Sequence, residues 1–335
     1  MLEQTLSIVI PVYRAGEALR ETVTELVGVA SSFEVQERAK IVLDEIVLVC
    51  DNPTLSVADR DRLVALERTD ARVRTIWLSN NFGQHPATVA GIVSTNSDWV
   101  ATMDEDGQHD PRYLAPLLAT AARSGRPLVY AAPNNQPPHG SLRNAASRLA
   151  KVIFRFLSGA SGEFHSFRLI EGSVARSACA YVGDNVYLDV ALRWSCGDAA
   201  QCPVPMRSEA APSSYDIRRL FSHFWRLVLS NGTRPLRLTA AAGVVVALAG
   251  VVTAVVVAIR RLDGTFPEPG WTSVMVAVLV LSGGLFISLA TVAEFVGFAV
   301  RNAIGKPLYV KADAPASRAL WQLQRALTTA IRVST

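Results

Sequence analysis

The chain has 335 residues, half of them hydrophobic, and a formal net charge of +4. This length suits a soluble domain with an appendage better than a single average domain. The modest charge, without a basic stripe that carries interleaved aromatic residues, argues against a nucleic-acid-binding protein. Four cysteines without a CxxC pair argue against a zinc knuckle or a thiol redox motif.

Strand and helix patterns alternate over the first 132 residues. Short apolar runs predict buried strands, and the stretches between them carry apolar residues at helical spacing. This rhythm predicts an α/β domain with a mostly parallel sheet and helices on both faces. The predicted strands are 6–12, 45–50, 73–78, 99–103 and 128–132, and the predicted helices are 18–30, 57–66, 86–94 and 111–124.

The pattern changes after Pro133. The sequence predicts a polar loop over 134–140, a basic amphipathic helix over 141–157, a strand over 164–170, a helix over 185–195 and a strand over 201–206. Residues 213–230 predict an amphipathic helix rich in aromatic residues. We expect this helix to lie at the membrane surface; packing on the soluble domain is the alternative.

Two uncharged stretches, 239–259 and 271–293, each exceed the roughly 20 residues that cross a hydrocarbon core. We therefore expect two membrane-spanning helices, with two buried core helices as the alternative. Ser-Gly-Gly at 282–284 would allow close helix approach and a homo-oligomer. No secretory signal is visible, and basic residues flank both stretches, so we expect both termini on the cytoplasmic side.

The expected organisation has four parts. They are a catalytic domain over 1–212, an interfacial helix over 213–235, a two-helix transmembrane anchor over 236–303 and a cytoplasmic tail over 304–335.

The most informative motif is MDEDGQHDP at 103–111, which follows the predicted strand 99–103. Asp104 and Asp106 lie two positions apart, so their side chains would point the same way at a strand end. Such a pair can hold a hard divalent cation through oxygen ligands and leave positions open for a diphosphate. A nucleotide-sugar transferase needs this arrangement.

Other polar residues also follow predicted strands. Tyr13, Asp51, Asn80 and Asp104 each fall just past a strand end. Ligands of open α/β sheets bind at the carboxyl ends of the strands. The pattern therefore predicts one pocket that these residues share.

Several motifs, in this order, resemble family 2 glycosyltransferases, which have a GT-A fold. They are SIVIPVY at 7–13, VCDNP at 49–53, NNFGQ at 80–84, the 103–111 block, SFRLI at 166–170, YLD at 187–189 and EFVG at 294–297 with GKPLY at 305–309. The 103–111 block resembles the DxDxQ motif of the polyprenyl-phosphate branch, which includes dolichyl- and undecaprenyl-phosphate sugar transferases. The resemblance covers almost the whole chain and implies a GT-A catalytic domain.

The resemblance implies an inverting enzyme that transfers a sugar from a nucleotide sugar, expected to be a UDP-sugar, to a polyprenyl phosphate, expected to be undecaprenyl phosphate. We expect it at the cytoplasmic face of the inner membrane, in synthesis or modification of a cell-envelope glycan such as lipopolysaccharide. A processive polysaccharide synthase and a membrane-anchored, non-catalytic scaffold that binds nucleotide sugars are the alternatives.

The acidic motif would hold the metal. Asp106 is the first choice for a direct ligand of Mg²⁺ or Mn²⁺, and Asp104 for the nucleotide ribose or a metal-bound water. Gln108 would support the metal or a donor phosphate, and Glu105 would lie in the turn or line the sugar pocket. The metal would neutralise charge on the leaving nucleoside diphosphate. A solvated acidic turn is the alternative for the three carboxylates.

By resemblance, Pro11, Tyr13 and Asp51 would line the base and ribose pocket, and Asn81 would also bind the donor. A helix N-cap or turn is the alternative for Asp51. Cys50 replaces the first acid of the family's VDDGS turn, and Asn-Pro follows Asp51 in place of Gly-Ser. These departures bear on the shape of the donor pocket.

The acceptor phosphate would need cations rather than a strong base. A phosphomonoester has its second pKa near ~6, so it is already an anionic nucleophile at neutral pH. Arg143 and Ser147 lie four residues apart on one predicted helix face and resemble the family's acceptor-phosphate motif. Arg168 and Arg207 are further candidates, because guanidinium groups suit phosphate. A surface or headgroup contact is the alternative for each arginine.

Overall fold

The computed structural model describes residues 2–28, 32–35, 39–134, 164–183, 186–207, 234–262, 270–314, 318–319 and 321–323. The chain divides into two compact units. The first unit comprises Met1–Ser141, Ser161–Ser214 and Pro307–Thr335, and the second comprises Leu142–Ala160 and Tyr215–Lys306. The chain therefore passes from the first unit to the second and back twice.

The first unit alternates strands and helices. In chain order it contains β1 (Leu2–Val12), α1 (Glu17–Gly28), β2 (Ser32–Val35), β3 (Ala39–Cys50), α2 (Val57–Thr69), β4 (Val73–Leu78), α3 (Gln84–Val93), β5 (Trp99–Thr102), a 3₁₀ turn (Pro111–Tyr113), α4 (Leu114–Ser124), β6 (Leu128–Pro133), β7 (Arg168–Glu171), α5 (Gly172–Cys179), α6 (Leu188–Cys196), β8 (Ala200–Val204) and β9 (Lys311–Ala312). The strands and helices predicted over the first 132 residues are confirmed, although β1 and β3 begin earlier than the apolar runs. The patterns did not predict β2, α5 or β9.

One mixed sheet joins the described strands in the order β8-β6-β7-β5-β1-β3-β4-β9, with β2 paired to β3. The centre is parallel, because β1 pairs in parallel with both β3 and β5, and β3 pairs in parallel with β4. β7 runs antiparallel to both β5 and β6, while β6 and β8 are parallel. The prediction of an α/β fold with a mostly parallel sheet is confirmed.

The core lies on both faces of β1 and β3. Leu6, Ile8 and Ile10 of β1 are fully buried, as the near-continuous apolar run of a parallel strand covered on both faces requires. Helix α3 lies so close to the sheet that a Cβ at Gly91 would be 2.3 Å from Val9 Cγ1. Glycine at this position therefore allows the helix to approach the strand.

The second unit contains two long helices, α7 (Arg234–Leu262) and α8 (Trp271–Ile304). These two helices include the uncharged stretches 239–259 and 271–293. Within the described part of the chain, however, no helix is both long and apolar enough to cross a membrane. The prediction of two membrane spans thus finds no support in this structure. The helices predicted over 141–157 and 213–230 lie outside the described residues.

Residues that follow the second unit pack onto the first. β9 pairs antiparallel with the end of β4, and the Ser79 N–H donates to the Val310 carbonyl at 2.9 Å. Trp321 is 3% exposed, and its ring meets the edge of the Trp77 ring at a centroid distance of 5.2 Å. The guanidinium groups of Arg60 and Arg318 lie over the Trp321 ring, 4.3 and 4.6 Å from its centroid. The C-terminal segment is thus part of the first unit.

We expect Trp321→Ala to lower the free energy of unfolding by about 3–5 kcal/mol, because it removes a buried aromatic side chain and two cation–π contacts. Trp194→Ala is the matched control, since Trp194 is 56% exposed, and it should change stability by less than about 0.5 kcal/mol. Urea unfolding followed by circular dichroism measures both. Equal effects of the two variants would show that the C-terminal segment does not stabilise the domain.

Candidate active site

Polar residues meet at the carboxyl ends of four neighbouring strands. Tyr13 follows β1, Asp51 follows β3, Asn80 lies just beyond β4, and Asp104 lies just beyond β5. These strands are adjacent in the order β5-β1-β3-β4. The backbone continues the pairing past the strands, since the Asp51 N–H donates to the Val12 carbonyl at 2.8 Å. The four residues therefore lie at one edge of the sheet.

Asp51 holds the turn that leads into α3. Its two carboxylate oxygens accept hydrogen bonds from the N–H groups of Phe82 and Gly83, at 2.7 and 2.6 Å. Gly83 has a φ of 96°, a conformation that glycine adopts without strain. Burial raises the pKa of Asp51 to about 6, although the two backbone hydrogen bonds act in the opposite direction. Asp51 therefore positions the segment that carries Asn81, which is exposed.

Asn52, which replaces the family's glycine, ties two loops together. Its Nδ2 donates to the Tyr13 carbonyl at 2.9 Å, and its Oδ1 accepts from the Thr54 N–H at 2.9 Å. Cys50 is buried within the core, and burial raises the pKa of its thiol to about 12. Asn52 therefore connects its turn to the loop after β1 through a hydrogen bond, and Cys50 adds a side chain to the core. Tyr13 itself is 47% exposed at the edge of the pocket.

Glu105 binds backbone rather than lining a sugar pocket. Its carboxylate accepts hydrogen bonds from the N–H groups of Tyr13, Arg14 and Ala15, at 3.0 to 3.2 Å. Ala15 has a φ of 51°, in the left-handed region that costs energy for a residue with a Cβ. Burial raises the pKa of Glu105 despite these three donors. Of the two roles predicted for Glu105, the structure shows the one in the turn.

Asp104 and Asp106 occupy different surroundings in the same turn. The Oδ1 atom of Asp104 accepts a hydrogen bond from Gln84 Nε2, and its Oδ2 atom accepts one from Ser166 Oγ, both at 2.5 Å. Asp106 is exposed, and its Oδ1 accepts from the Gln108 N–H at 3.0 Å. Asp104 is thus fixed in one orientation, whereas Asp106 faces solvent.

The donor set fits a hard divalent cation. Asp104, Asp106 and Gln108 supply carboxylate and amide oxygens, which are the ligands that Mg²⁺ and Mn²⁺ prefer. The described residues contain no group of three or more His, Cys, Asp or Glu side chains placed to hold a metal. Magnesium also keeps waters and substrate phosphates among its ligands. The residues therefore suit a metal whose coordination a diphosphate completes.

His109 is a buried member of this turn. It is 3% exposed, and its ring stacks on Phe167 with centroids 5.0 Å apart. The Asp104 N–H donates to His109 Nδ1 at 2.9 Å, and His109 Nε2 lies 3.7 Å from Asp104 Oδ2. Burial lowers the pKa of His109, against the raising effect of the two aspartates. The imidazole therefore supports the Asp104 end of the turn.

Arg207 binds the far end of the same turn. The backbone N–H of Arg207 donates to the Gln108 carbonyl at 3.1 Å. The guanidinium of Arg207 contacts Asp110 at 3.1 Å and Glu25 at 2.8 Å. Burial would raise the pKa of Asp110, but hydrogen bonds from Arg112 and Arg207 hold it at about 2. Arg207 therefore lies beside the acidic motif, as an active-site arginine would, and is partly engaged by two carboxylates.

A cavity of about 210 Å³ opens beside Asp104. Pro11 and Arg168 line it, together with Asp189 at its inner wall. Arg168 is 3% exposed; its Nη1 donates to Asp189, and its Nε donates to Thr102 Oγ1 at 3.1 Å. The interpretation of Arg168 as an acceptor-phosphate ligand is therefore corrected to a role in the cavity wall, because a buried carboxylate already pairs its guanidinium. Arg143 and Ser147 lie outside the described residues.

The raised pKa of Asp51 has a consequence for stability. The Asp51 carboxyl binds its proton more tightly in the folded protein than in the unfolded chain. The stability that this proton contributes is present below about pH 4 and is lost as the pH rises towards about 6. We therefore expect wild type to lose stability relative to Asp51→Asn as the pH rises from about 4 to about 6. Above about pH 6 the difference between their unfolding free energies should level off. Denaturant unfolding at several pH values measures it. A difference that stays constant over this window would contradict the raised pKa.

The chain is similar in sequence to known proteins over most of its length. Residues 7–170 match the model of glycosyl transferase family 2. The undecaprenyl-phosphate 4-deoxy-4-formamido-L-arabinose transferase of Edwardsiella ictaluri is 27% identical over 311 residues, which cover 91% of this chain and 93% of that protein. The enzyme of the same name from Erwinia tasmaniensis is 24% identical, over 92% of this chain and 94% of its own.

Solved structures show weaker likeness. Mannosyl-3-phosphoglycerate synthase from Rubrobacter xylanophilus is 15% identical, with a TM-score of 0.47 over 80% of this chain and 78% of its own. Glucosyl-3-phosphoglycerate synthase from Mycobacterium tuberculosis is 16% identical, with a TM-score of 0.48 over 69% of this chain and 80% of its own. Residues 7–170 thus match the family that the motifs of this chain resemble, and with the named relatives this match shows that the chain is a glycosyltransferase.

Proposed function

We propose that this enzyme transfers a sugar from a nucleotide sugar, a UDP-sugar, to undecaprenyl phosphate. The observation that carries the proposal is the turn with Asp104 and Asp106 at the carboxyl edge of the sheet, next to a polar cavity. The relatives named above act on undecaprenyl phosphate by name, and they align over more than nine tenths of their length. A sugar of the 4-deoxy-4-formamido-L-arabinose type is the first donor to test.

The turn would bind the donor's diphosphate. Asp106 and Asp104 would hold Mg²⁺ or Mn²⁺, with Gln108 beside them, and the cation would neutralise charge on the leaving nucleoside diphosphate. Gln84 and Ser166 keep the Asp104 carboxylate in one orientation through their hydrogen bonds. A fixed orientation lowers the cost of assembling the charged groups at the moment of reaction.

The loop after β1 would meet the nucleoside. Glu105 fixes its backbone through three N–H groups, and Asn52 fixes it through the Tyr13 carbonyl. Pro11 and Tyr13 are therefore held at the pocket edge by side chains from two other loops. We propose that they line the base and ribose site, with Asp51 and Asn81 in the adjoining loops.

The acceptor is itself the nucleophile. A phosphomonoester is anionic near neutral pH, so the enzyme needs a cationic site for it rather than a general base. We propose Arg207 for this site, because its guanidinium is 32% exposed and lies against the turn that carries Asp106. Arg143 and Ser147 remain further candidates on the resemblance.

The lipid acceptor places the reaction at a membrane surface. Large apolar side chains are exposed along α7 and α8, among them Val251, Phe286 and Ile287. Burial of such side chains against lipid is favourable. We propose that these helices associate the enzyme with the cytoplasmic face of the inner membrane, for synthesis or modification of a cell-envelope glycan.

The test is transfer of label from UDP-sugars into undecaprenyl phosphate by the full-length enzyme in detergent. We expect Asp106→Asn and Asp104→Asn each to lower transfer by about 10²-fold or more, because each weakens the bound cation, and EDTA to abolish it. Asp61→Asn on the exposed face of α2 is the matched control and should retain activity. Full activity of both site variants would contradict the proposal, and a folded enzyme that binds UDP-sugar without any transfer would indicate a scaffold.

A second pair of variants separates binding of the acceptor from support of the turn. If Arg207 binds the lipid phosphate, Arg207→Gln should raise the KM for undecaprenyl phosphate by about tenfold or more, since a charged hydrogen bond is lost. Glu25→Gln removes the same ion pair from the other side and should leave this KM within about twofold. Equal effects of the two variants on the acceptor KM would show that Arg207 acts only by holding the turn.

A further inference from the structure

The side chain of Thr102 makes two buried hydrogen bonds to which the proposed reaction gives no role. Thr102 is the last residue of β5 and is 2% exposed. Its Oγ1 donates to the Ser166 carbonyl at 2.5 Å and accepts a hydrogen bond from Arg168 Nε at 3.1 Å. A hydroxyl has one hydrogen to donate, and here Ser166 receives it. The Thr102 hydroxyl therefore joins the guanidinium of Arg168 to the backbone two residues before it.

The guanidinium of Arg168 is held from its other side by a buried carboxylate. Its Nη1 donates to Asp189 Oδ1, which also accepts a hydrogen bond from Tyr130 Oη at 2.8 Å. All three side chains are buried. A cation that donates to a hydroxyl polarises it, and a polarised hydroxyl is in turn a stronger donor. The ion pair thus fixes the guanidinium and strengthens the bond from Thr102 to Ser166.

Ser166 connects this bonding to the acidic turn. Its backbone carbonyl is held by Thr102, and its own Oγ donates to Asp104 Oδ2 at 2.5 Å. The next residue, Phe167, stacks on the ring of His109, whose Nδ1 accepts the Asp104 N–H. Two successive residues therefore act on Asp104, one through its carboxylate and one through its backbone.

We propose that Thr102 is a positioning residue for the metal-binding turn: by holding the Ser166 carbonyl, its hydroxyl keeps the Ser166 side chain in the orientation that fixes Asp104. This inference rests on the proposed function, because Asp104 is there a ligand of the cation. Groups that hydrogen-bond to metal ligands change metal affinity by about 10–100-fold when they are removed. Thr102 contacts neither Asp104 nor the cation directly, so its effect passes through Ser166.

The test is a double-mutant cycle of Thr102→Val and Ser166→Ala in the full-length enzyme. Electron paramagnetic resonance measures the affinity for Mn²⁺ in the presence of UDP. Valine keeps the size and branching of threonine but lacks the hydroxyl. We expect each single variant to bind Mn²⁺ about tenfold more weakly than wild type. The double variant should stay within about twofold of Ser166→Ala, because the hydroxyl through which Thr102 acts is already gone.

Two further variants separate positioning from a general loss of stability. Thr102→Ser restores the hydroxyl and should bring the Mn²⁺ affinity to within about threefold of wild type. Thr95→Val is the matched control, since Thr95 is 1% exposed and its Oγ1 donates to the Ile92 carbonyl at 2.7 Å. This variant also loses a buried hydroxyl bond to a carbonyl, so it should lower stability and leave the Mn²⁺ affinity within about twofold.

A wild-type Mn²⁺ affinity in Thr102→Val, or additive effects in the double variant, would overturn the inference and leave the proposed function standing. A wild-type enzyme that binds no Mn²⁺ in the presence of UDP would contradict the proposed function, and the inference with it. If circular dichroism shows that Thr102→Val does not fold, Thr102→Ala takes its place in the cycle. Alanine also lacks the hydroxyl and leaves room for a water molecule beside Arg168 Nε.

Discussion

The Glu105 carboxylate is the contact on which the donor side of this site depends. It reaches across the sheet edge and accepts three backbone N–H groups from the loop after β1. The same loop contains Ala15 in a left-handed conformation, which would relax without a fixed partner. One carboxylate of the acidic motif thus supports the loop after β1, while Asp104 accepts hydrogen bonds from Gln84 and Ser166 and Asp106 faces solvent.

The rest of the turn is stabilised by hydrogen bonds to its main chain, one with a side chain and one with the backbone of Arg207. His109 accepts the Asp104 N–H, and the Arg207 N–H donates to the Gln108 carbonyl. Such bonds fix the backbone without occupying the exposed oxygens of Asp106. On the cavity side, a buried arginine neutralises Asp189, so two carboxylates can line one small space without strong mutual repulsion. The site is preorganised before any substrate arrives.

The sequence predicted the parts of this arrangement that are local. Apolar runs gave the central strands, and polar residues just past them gave the pocket edge, because strand ends and ligand sites coincide in α/β sheets. The bonding of Glu105 and His109 depends on contacts that side-chain periodicity does not encode, and Glu105 reaches residues about 90 positions away. Arg168 was misassigned for the same reason: guanidinium chemistry suits a phosphate or a carboxylate equally, and only the fold brings Asp189 to it. β9 was missed because two residues carry no detectable pattern.

The central claim is that this turn binds a divalent cation together with a nucleoside diphosphate. The most direct measurement is electron paramagnetic resonance of Mn²⁺ titrated into the full-length enzyme, with and without UDP. The described residues contain no group of three or more His, Cys, Asp or Glu side chains placed to hold a metal, so we expect UDP to raise the affinity for Mn²⁺ by about tenfold or more. Equal Mn²⁺ affinity with and without UDP, or UDP binding that ignores the metal, would contradict the account.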